Sequence, residues 1–298
     1  MPRVLLISNP AAARTTPRVI TQVVGTLRAG GWTVEEAVTG GAGDARRYAE
    51  QAVRDAVDSV VVFGGDGTTM QAAAALVGTD ISLGLIPGGT GNLLAGNLRI
   101  PAAPTTAAQA LLQAKPQPLD LGRMDRPDGV HYFAVACGAG YDARVMTQTS
   151  TTQKQRWGMG AYVYTTLRLV GQIRDVDYLI TVDGRQYEAR AAMVLVANCG
   201  EVIPPYVRLG AGISPRDGVL DLVVVRANSF GQGVRAVWEL LRAQGQPLPG
   251  TGQVGFARGQ EIRLEPAIPQ PAQADGEPAG ITPITATVVP GAIKVLLP

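Results

Sequence analysis

The rhythm of apolar and polar positions along this chain changes once, near Asp120. Val4–Ile7 is a short continuous apolar run, and Arg18–Ala29 then sets Val19, Val23, Val24 and Leu27 at helical spacing before Gly30-Gly31 stops it. Trp32–Val38 alternates as a second strand and ends at Thr39-Gly40-Gly41. Asp44 reads as the cap of a helix running to about Val57, Val60 opens a third strand, and Ile81 or Ser82 a fourth. Strands separated by helices predict an α/β fold with a doubly wound parallel sheet. Pro101–Pro104 and Pro116-Gln117-Pro118 flank one more helix, at Thr106–Ala114. Beyond Asp120 the apolar runs shorten: Tyr132–Ala136, Leu179–Val182, Ala191–Ala197, Leu220–Val225, Glu261–Leu264, Thr285–Val289 and Ile293–Leu297. Turn pairs such as Asp183-Gly184 and Asp217-Gly218 separate them, which predicts a mainly antiparallel β domain. Helical insertions are expected at Trp157–Gln172 and Phe230–Ala243, and the Pro- and Gly-rich stretch Pro266–Pro283 reads as a loop. The expected division is an α/β domain over 1–120 and a β-rich domain over 121–290.

Two strand ends stand out chemically. Val60–Phe63 runs into Gly64-Gly65-Asp66-Gly67-Thr68-Thr69 and on through Met70 to the helix former Gln71–Leu76. Ser82–Ile86 runs in the same way into Pro87-Gly88-Gly89-Thr90-Gly91-Asn92. A strand, a glycine turn and a helix start present bare backbone N–H groups to an anion, and glycine lets a phosphate approach where a Cβ would collide. Asp66 would repel that phosphate directly, so its useful role is to hold a magnesium ion. One such unit can be a plain tight turn; two in tandem are harder to dismiss. Asn9, Thr39 and both loops fall at the carboxyl ends of the strands, where open α/β sheets bind ligands.

Composition narrows the partners. The chain of 298 residues is 46% hydrophobic and 17% charged, enough for a sizeable core, and its net charge of +2 carries no basic run that points to nucleic acid. Lysine occurs only at 115, 154 and 294, and none follows a glycine loop at P-loop spacing. Phosphates would therefore lean on backbone N–H, arginine and a metal. Cys137 and Cys199 sit in apolar runs without metal-ligand spacing and read as buried thiols of a reducing compartment. No run approaches eighteen apolar residues, so the expected location is cytoplasmic, with any membrane met from its surface. Gly138-Ala139-Gly140-Tyr141-Asp142-Ala143 imitates a dinucleotide fingerprint but lacks its βαβ context, and His131 starts a strand.

GGDGT followed by IPGGTGN resembles the diacylglycerol-kinase-type lipid kinases, which include bacterial lipid kinases and the sphingosine and ceramide kinases. GGDGT alone also occurs in NAD kinases. The resemblance spans Asn9 to the C-terminus and implies an ATP- and Mg2+-dependent transfer of the γ-phosphate to a lipid hydroxyl, that of diacylglycerol first. It implies a nucleotide held by Asn9, Pro10, Ala11, Ala12, Ala13 and Thr39, by Gly64 to Gln71 in the first loop, and by Gly89, Thr90, Gly91 and Asn92 in the second. Asp275-Gly276-Glu277 matches the family's D-G-E, which makes Glu277 the general base, Asp275 its assistant and Asp66 the third catalytic group. Val289-Pro290-Gly291-Ala292 matches the family's ending, whose last strand, about 291–298, returns to the first domain. Asp120 in LDLG resembles the acidic residue after the second loop, a second metal candidate. Asp217-Gly218-Val219-Leu220-Asp221 matches a D-G-x-L-D element in which Asp217, with carbonyls of Ser214 and Val219, holds a structural metal. From the residues alone, Asp275-Gly276 and Asp217-Gly218 read equally as hairpin turns.

The chain also departs from the family. Ala11-Ala12-Ala13 replaces a glycine-bearing loop, Met70 and Gln71 stand for asparagine and glutamate, and Leu93 stands for an aspartate. The alanines alter the fit around the phosphates, and Met70, Gln71 and Leu93 each remove a polar or acidic group near the expected magnesium. The expected partners are a lipid substrate and a peripheral membrane surface, with no nucleic acid and a homodimer left open. Trp157, Tyr162, Tyr164, Leu167 and Leu169 line a lipid groove or, equally, face a core. The alternatives are an NAD kinase and a non-catalytic nucleotide- or lipid-binding protein.

Overall fold

A computed structural model describes residues 1–126, 129–140, 174–203, 207–209, 212–229, 231–232, 235–236 and 253–298. The expected helix at Trp157–Gln172 with its aromatic groove, most of that at Phe230–Ala243, and Tyr141–Ala143 lie outside these residues. The chain divides into two compact units, 1–119 with 291–298, and 120–290.

The first unit runs β1 (Arg3–Ser8), α1 (Pro17–Ala29), β2 (Thr33–Val38), α2 (Asp44–Arg54), β3 (Ser59–Gly64), α3 (Asp66–Leu76), β4 (Ser82–Pro87), α4 (Leu93–Asn97) and α5 (Pro104–Leu111). The sheet is parallel in the order β2-β1-β3-β4. Every residue of β3 and β4 is buried, as expected of central parallel strands covered on both faces. Thr16 caps α1 by accepting from the Val19 N–H, Pro17 sets its first turn, and Val23, Val24 and Leu27 face the sheet. With Leu6, Phe63 and Leu111 they form one core, each large side chain contributing about 1.5–3 kcal/mol. The cap of α2 differs from expectation. Gly43, in the left-handed region at φ +86°, is the N-cap, and Asp44 is already helical. Its carboxylate turns back to the N–H groups of Gly40 and Gly41 instead. Pro104 begins α5 before the expected Thr106, because proline suits the first helical position.

The chain continues with β5 (Lys115–Arg126), which enters the second unit at Asp120, β6 (Gly129–Phe133), β7 (Ala136–Gly140), β8 (Val176–Val182), β9 (Arg185–Ala191), β10 (Met193–Ala197), β11 (Glu201–Ile203), β12 (Val207–Arg208), β13 (Leu220–Val225), β14 (Val254–Gly259), β15 (Glu261–Pro266), β16 (Pro271–Ala274), β17 (Glu277–Ile281) and β18 (Ile284–Leu297), which leaves it after Pro290. One antiparallel sheet has the order β14-β13-β10-β7-β16-β17. A second layer sets β15 between β8 and the first half of β18, also antiparallel. Met124, Phe133, Ile180, Val194, Leu222 and Leu264 fill this β-sandwich.

Four expectations change here. Pro266–Pro283 is not a loop: it holds the hairpin β16–β17, turning on Asp275 at φ +47° and Gly276 at φ +79°. Two positive φ angles make the type I′ turn that matches strand twist, and Ala272 and Ala274 pair closely with β7. Pro116-Gln117-Pro118, expected only as the flank of a helix, is strand, its prolines at the start of β5 where ladder donors are dispensable. Tyr132–Ala136 breaks at Ala134-Val135 into β6 and β7. Thr285–Val289 and Ile293–Leu297 are one strand, β18, whose burial alternates up to Val288 and becomes nearly continuous from Ala292, where it runs parallel beside β4.

Candidate active site

In the first unit the two glycine loops lie against each other. The Gly88 N–H donates to the Gly64 carbonyl at 2.8 Å, and a Cβ added at Gly89 would stand 2.8 Å from Gly65 Cα. Only glycine allows that approach. The Asn92 side chain closes the second loop on itself: Oδ1 accepts from the Gly89 N–H at 2.9 Å and Nδ2 donates to the Gly89 carbonyl at 2.7 Å. Asn92 sits at φ +50°, a left-handed position that asparagine tolerates.

Gly65 is the N-cap of α3 and supplies no side chain, so first-turn N–H groups are left for a ligand or solvent. Thr68 and Thr69 are buried below that turn, and Asn9 Nδ2 donates to Thr68 Oγ1 at 2.8 Å, tying the end of β1 to the loop. Asn9 Oδ1 accepts the Ala11 N–H, which shapes Pro10–Ala13 without the family's glycine. Thr39 is buried, its N–H on the Ser8 carbonyl. Gln71 Oε1 accepts the Gly43 N–H at 3.1 Å, and Met70 is partly exposed beside it. Gly67, Thr90 and Gly91 form the exposed lip. The structure thus brings the first-unit residues of the expected nucleotide site onto one strand-end edge.

Asp66 has a role that sequence did not reveal. Its Oδ1 accepts the Leu93 N–H at 2.6 Å, pinning the second loop to the first. Its Oδ2 faces Gly91, where an added Cβ would come within 2.8 Å. Leu93 therefore contributes its backbone to the acid. Arg14 and Thr15 were also missed: the Arg14 N–H donates to the Gly88 carbonyl, and the Thr15 hydroxyl is buried without a hydrogen-bond partner among the described residues. A cavity of about 10 Å³, the size of one water, lies under the loops among Asp66, Thr69 and Asn92. Among the described residues no three His, Cys, Asp or Glu side chains gather as a metal cluster. A magnesium ion here would take one carboxylate and otherwise phosphate and water, a set that ion accepts. Asp66 fits that demand.

In the second unit, Asp275 is the first residue of the β16–β17 turn and Glu277 directly follows that turn. The Asp275 carboxylate accepts three N–H groups, from Ala134 at 2.7 Å, Val135 at 2.8 Å and Ala136 at 3.0 Å. Burial pushes its pKa above the usual carboxylate value, against the pull of those three amides. Burial likewise pushes the Cys137 and Cys199 thiols up, with the Asp275 charge adding to it, so both are inert thiols. Glu277 opens β17, exposed, paired with Ala274.

Asp120 is buried within β5 rather than lying on an exposed linker. Its Oδ2 accepts the Gly218 N–H at 2.8 Å, and its own N–H donates to the Pro215 carbonyl. The loop holding Ser214, Asp217 and Val219 is thereby tied to β5. Asp217 accepts the Val219 N–H at 3.4 Å and lies 3.6 Å from the Arg258 guanidinium, which also grips Asp221. A cation at Asp217 would share its carboxylate with that guanidinium. Burial raises the Asp221 pKa, and Arg258 opposes this.

Residues 3–124 match the diacylglycerol kinase catalytic domain family, and residues 135–297 match the YegS C-terminal NAD kinase beta sandwich-like domain. A Xanthomonas axonopodis protein named "Probable lipid kinase YegS-like" is 33% identical over 68% of this chain and 68% of its own. A Mycobacterium tuberculosis protein named "Diacylglycerol kinase" is 29% identical over 99% of this chain and 95% of its own. The solved structure of a Bacillus anthracis diacylglycerol kinase superposes with a TM-score of 0.78 at 23% identity, covering 99% of this chain and 97% of that one. Another structure from that organism reaches 0.82 at 24%, over 99% and 95%. At such identity the likeness establishes the fold.

Proposed function

We propose, for a chain that belongs to the diacylglycerol-kinase-type lipid kinase family, that it moves the γ-phosphate of ATP to a lipid hydroxyl, diacylglycerol being the first candidate. The observation that carries this is the pair of glycine loops clasped by Gly88 on Gly64 and by Leu93 on Asp66. Loosely dissociative phosphoryl transfer needs positioning and charge neutralisation more than covalent chemistry. The loop N–H groups and the α3 N-terminus orient the phosphates, and Asn9 and Asn92 fix the loops. A bound Mg2+ held by Asp66 would neutralise charge on the phosphates. Glu277 accepts the proton of the attacking hydroxyl, while Asp275, held by the amides of 134–136, assists by fixing the turn that carries it. We extend the proposal to peripheral contact with a membrane, where such an acceptor resides; among the described residues no helix is long and apolar enough to cross one.

The test is transfer of labelled γ-phosphate, with magnesium, to diacylglycerol, sphingosine, ceramide, phosphatidylglycerol and NAD. A labelled lipid whose rate falls about 10²–10⁴-fold with Glu277→Gln supports the assignment. Label in NADP instead moves the chain to NAD kinase chemistry. ATP binding with no label in any acceptor favours a binding protein, the reading that Met70, Gln71 and Leu93 make worth testing.

A further inference from the structure

Asn198 is fully buried, between β10 and β11, and its Oδ1 has no hydrogen-bond partner among the described residues. A buried acceptor left in that state is destabilising, so the rest of the side chain calls for an explanation. Its Nδ2 donates twice, to the Asp120 carbonyl at 2.9 Å and to the Ala134 carbonyl at 2.8 Å. Both Nδ2 protons are used in this orientation of the amide. The backbone of the same turn holds the next residue: the Asn198 and Cys199 N–H groups both donate to the Val135 carbonyl, and Cys199 Sγ reaches the Ala134 carbonyl at 3.2 Å.

These bonds account for one face of the break between β6 and β7. The Ala134 and Val135 carbonyls go to Asn198 and Cys199, and the N–H groups of Ala134, Val135 and Ala136 go to the Asp275 carboxylate. The Asp275 N–H returns to the Ala136 carbonyl at 2.8 Å. With successive N–H groups turned towards one carboxylate, the buried carbonyls of the same segment need partners of their own. Asp275 and Gly276 form the two-residue turn, and Glu277 follows it directly. The backbone of Glu277 thus follows the turn that Asp275 anchors, Asp275 is held by the amides of 134–136, and the Ala134 carbonyl of that segment is held by the Asn198 side chain together with Cys199 Sγ.

We infer that Asn198 is a positioning residue for the Glu277 base, acting through the 134–136 amides and Asp275. This rests on Glu277 being that base. Asparagine suits the role because a short side chain with two fixed donors can bridge the two carbonyls; a serine can serve one of them. A misplacement near 1 Å at a reacting group lowers rate about 10²-fold.

The experiment is a double-mutant cycle on the full chain, with labelled ATP and diacylglycerol in mixed micelles, of Asn198→Ala and Glu277→Gln. Val182→Ala, in the same core but outside this network, serves as the destabilisation control. Asn198→Ala should lower kcat about 10–100-fold with KM for ATP within about twofold. In the Glu277→Gln background it should lower kcat by less than about twofold, since a base that is absent cannot be misplaced. Asn198→Ser, keeping one donor and leaving a smaller void, should recover part of the rate.

An equal loss in both backgrounds overturns the inference, as does a loss that Val182→Ala reproduces at a matched fall in Tm. Failure of both Asn198 variants to fold while Val182→Ala folds also overturns it, by making Asn198 structural. Wild-type kcat in Glu277→Gln alone overturns the base assignment and this inference with it. That arm separates the two failures.

Discussion

Asp66 carries two separable jobs in one carboxylate. Its Oδ1 holds the Leu93 amide, a bond an asparagine oxygen can also accept, whereas its charge is what a magnesium ion would need. Asp66→Asn should therefore change stability by less than about 1 kcal/mol, and Asp66→Ala should cost about 1–3 kcal/mol by leaving the amide unpaired. Both should raise the magnesium concentration for half-maximal transfer by about tenfold or more. Urea melts and a magnesium titration separate the two jobs; equal stability of the two variants would remove the pinning role. Asp275 offers a pH test. Burial raises its folded pKa above the ordinary 3.8, so the unfolded chain loses this proton first as pH rises. Between 3.8 and the raised value the folded state holds more protons, and stability from this group falls with rising pH. Asp275→Asn should lack that slope in urea midpoints taken across the interval.

At the scale of elements, the clasp between the loops that follow β3 and β4 depends on backbone contact rather than side chains. A Cβ at position 89 would meet Gly65 Cα at 2.8 Å and Asn92 Oδ1 at 3.2 Å; the first is backbone and the second belongs to an amide held by two hydrogen bonds. Gly89→Ala should force the loops apart, costing about 1–3 kcal/mol, and weaken ATP binding by about tenfold. Gly25→Ala, in α1 away from the loops and with nothing within 4 Å, is the matched control for chain stiffness. Calorimetry with ATP analogues reads both; unchanged affinity in Gly89→Ala would mean that the clasp does not shape the cradle. Asp183-Gly184 repeats the device of the β16–β17 hairpin: both φ angles are positive, and the Asp183 carboxylate takes the N–H groups of Gln260 and Glu261. In both of these Asp-Gly turns the aspartate fixes its hairpin by reaching across to a neighbouring backbone.

For the whole molecule, the C-terminal segment 291–298 belongs with residues 1–119. It places Ile293, Val295, Leu296 and Leu297 in the core beside β4, each less than a tenth exposed. At about 1.5–3 kcal/mol per side chain its removal forfeits roughly 6–12 kcal/mol, comparable with the whole stability of a domain. Truncation before Gly291 should abolish cooperative melting of the α/β unit and open the β4 edge to aggregation. Replacing the exposed Lys294, whose ammonium meets Asp80 at 2.7 Å, with methionine should cost less than about 1 kcal/mol. A truncated chain that melts as the intact one does would show that the strand is dispensable.

Local pattern was sufficient for β1 to β4 with their helices, because parallel central strands are apolar runs and each glycine loop is written contiguously. The same holds for the family match, which rests on contiguous motifs. The Pro266–Pro283 hairpin was illegible because its strands are small residues and prolines whose pairing with β7 lies more than a hundred residues away. Asp275 and Glu277 were nameable from D-G-E, but the sequence left Asp275 between base partner and turn residue. Amides 139–141 positions distant decide that it is held as a hairpin anchor. Asn198 carried no signal, since neither its spacing nor its neighbours differ from a strand end. By itself the sequence determined the alternation of strands and helices through β4, the two glycine loops and the family, all properties of adjacent residues. Tertiary structure alone decided which polar groups hold the others in place, because a buried hydrogen bond is specified by partners that only folding brings within 3 Å.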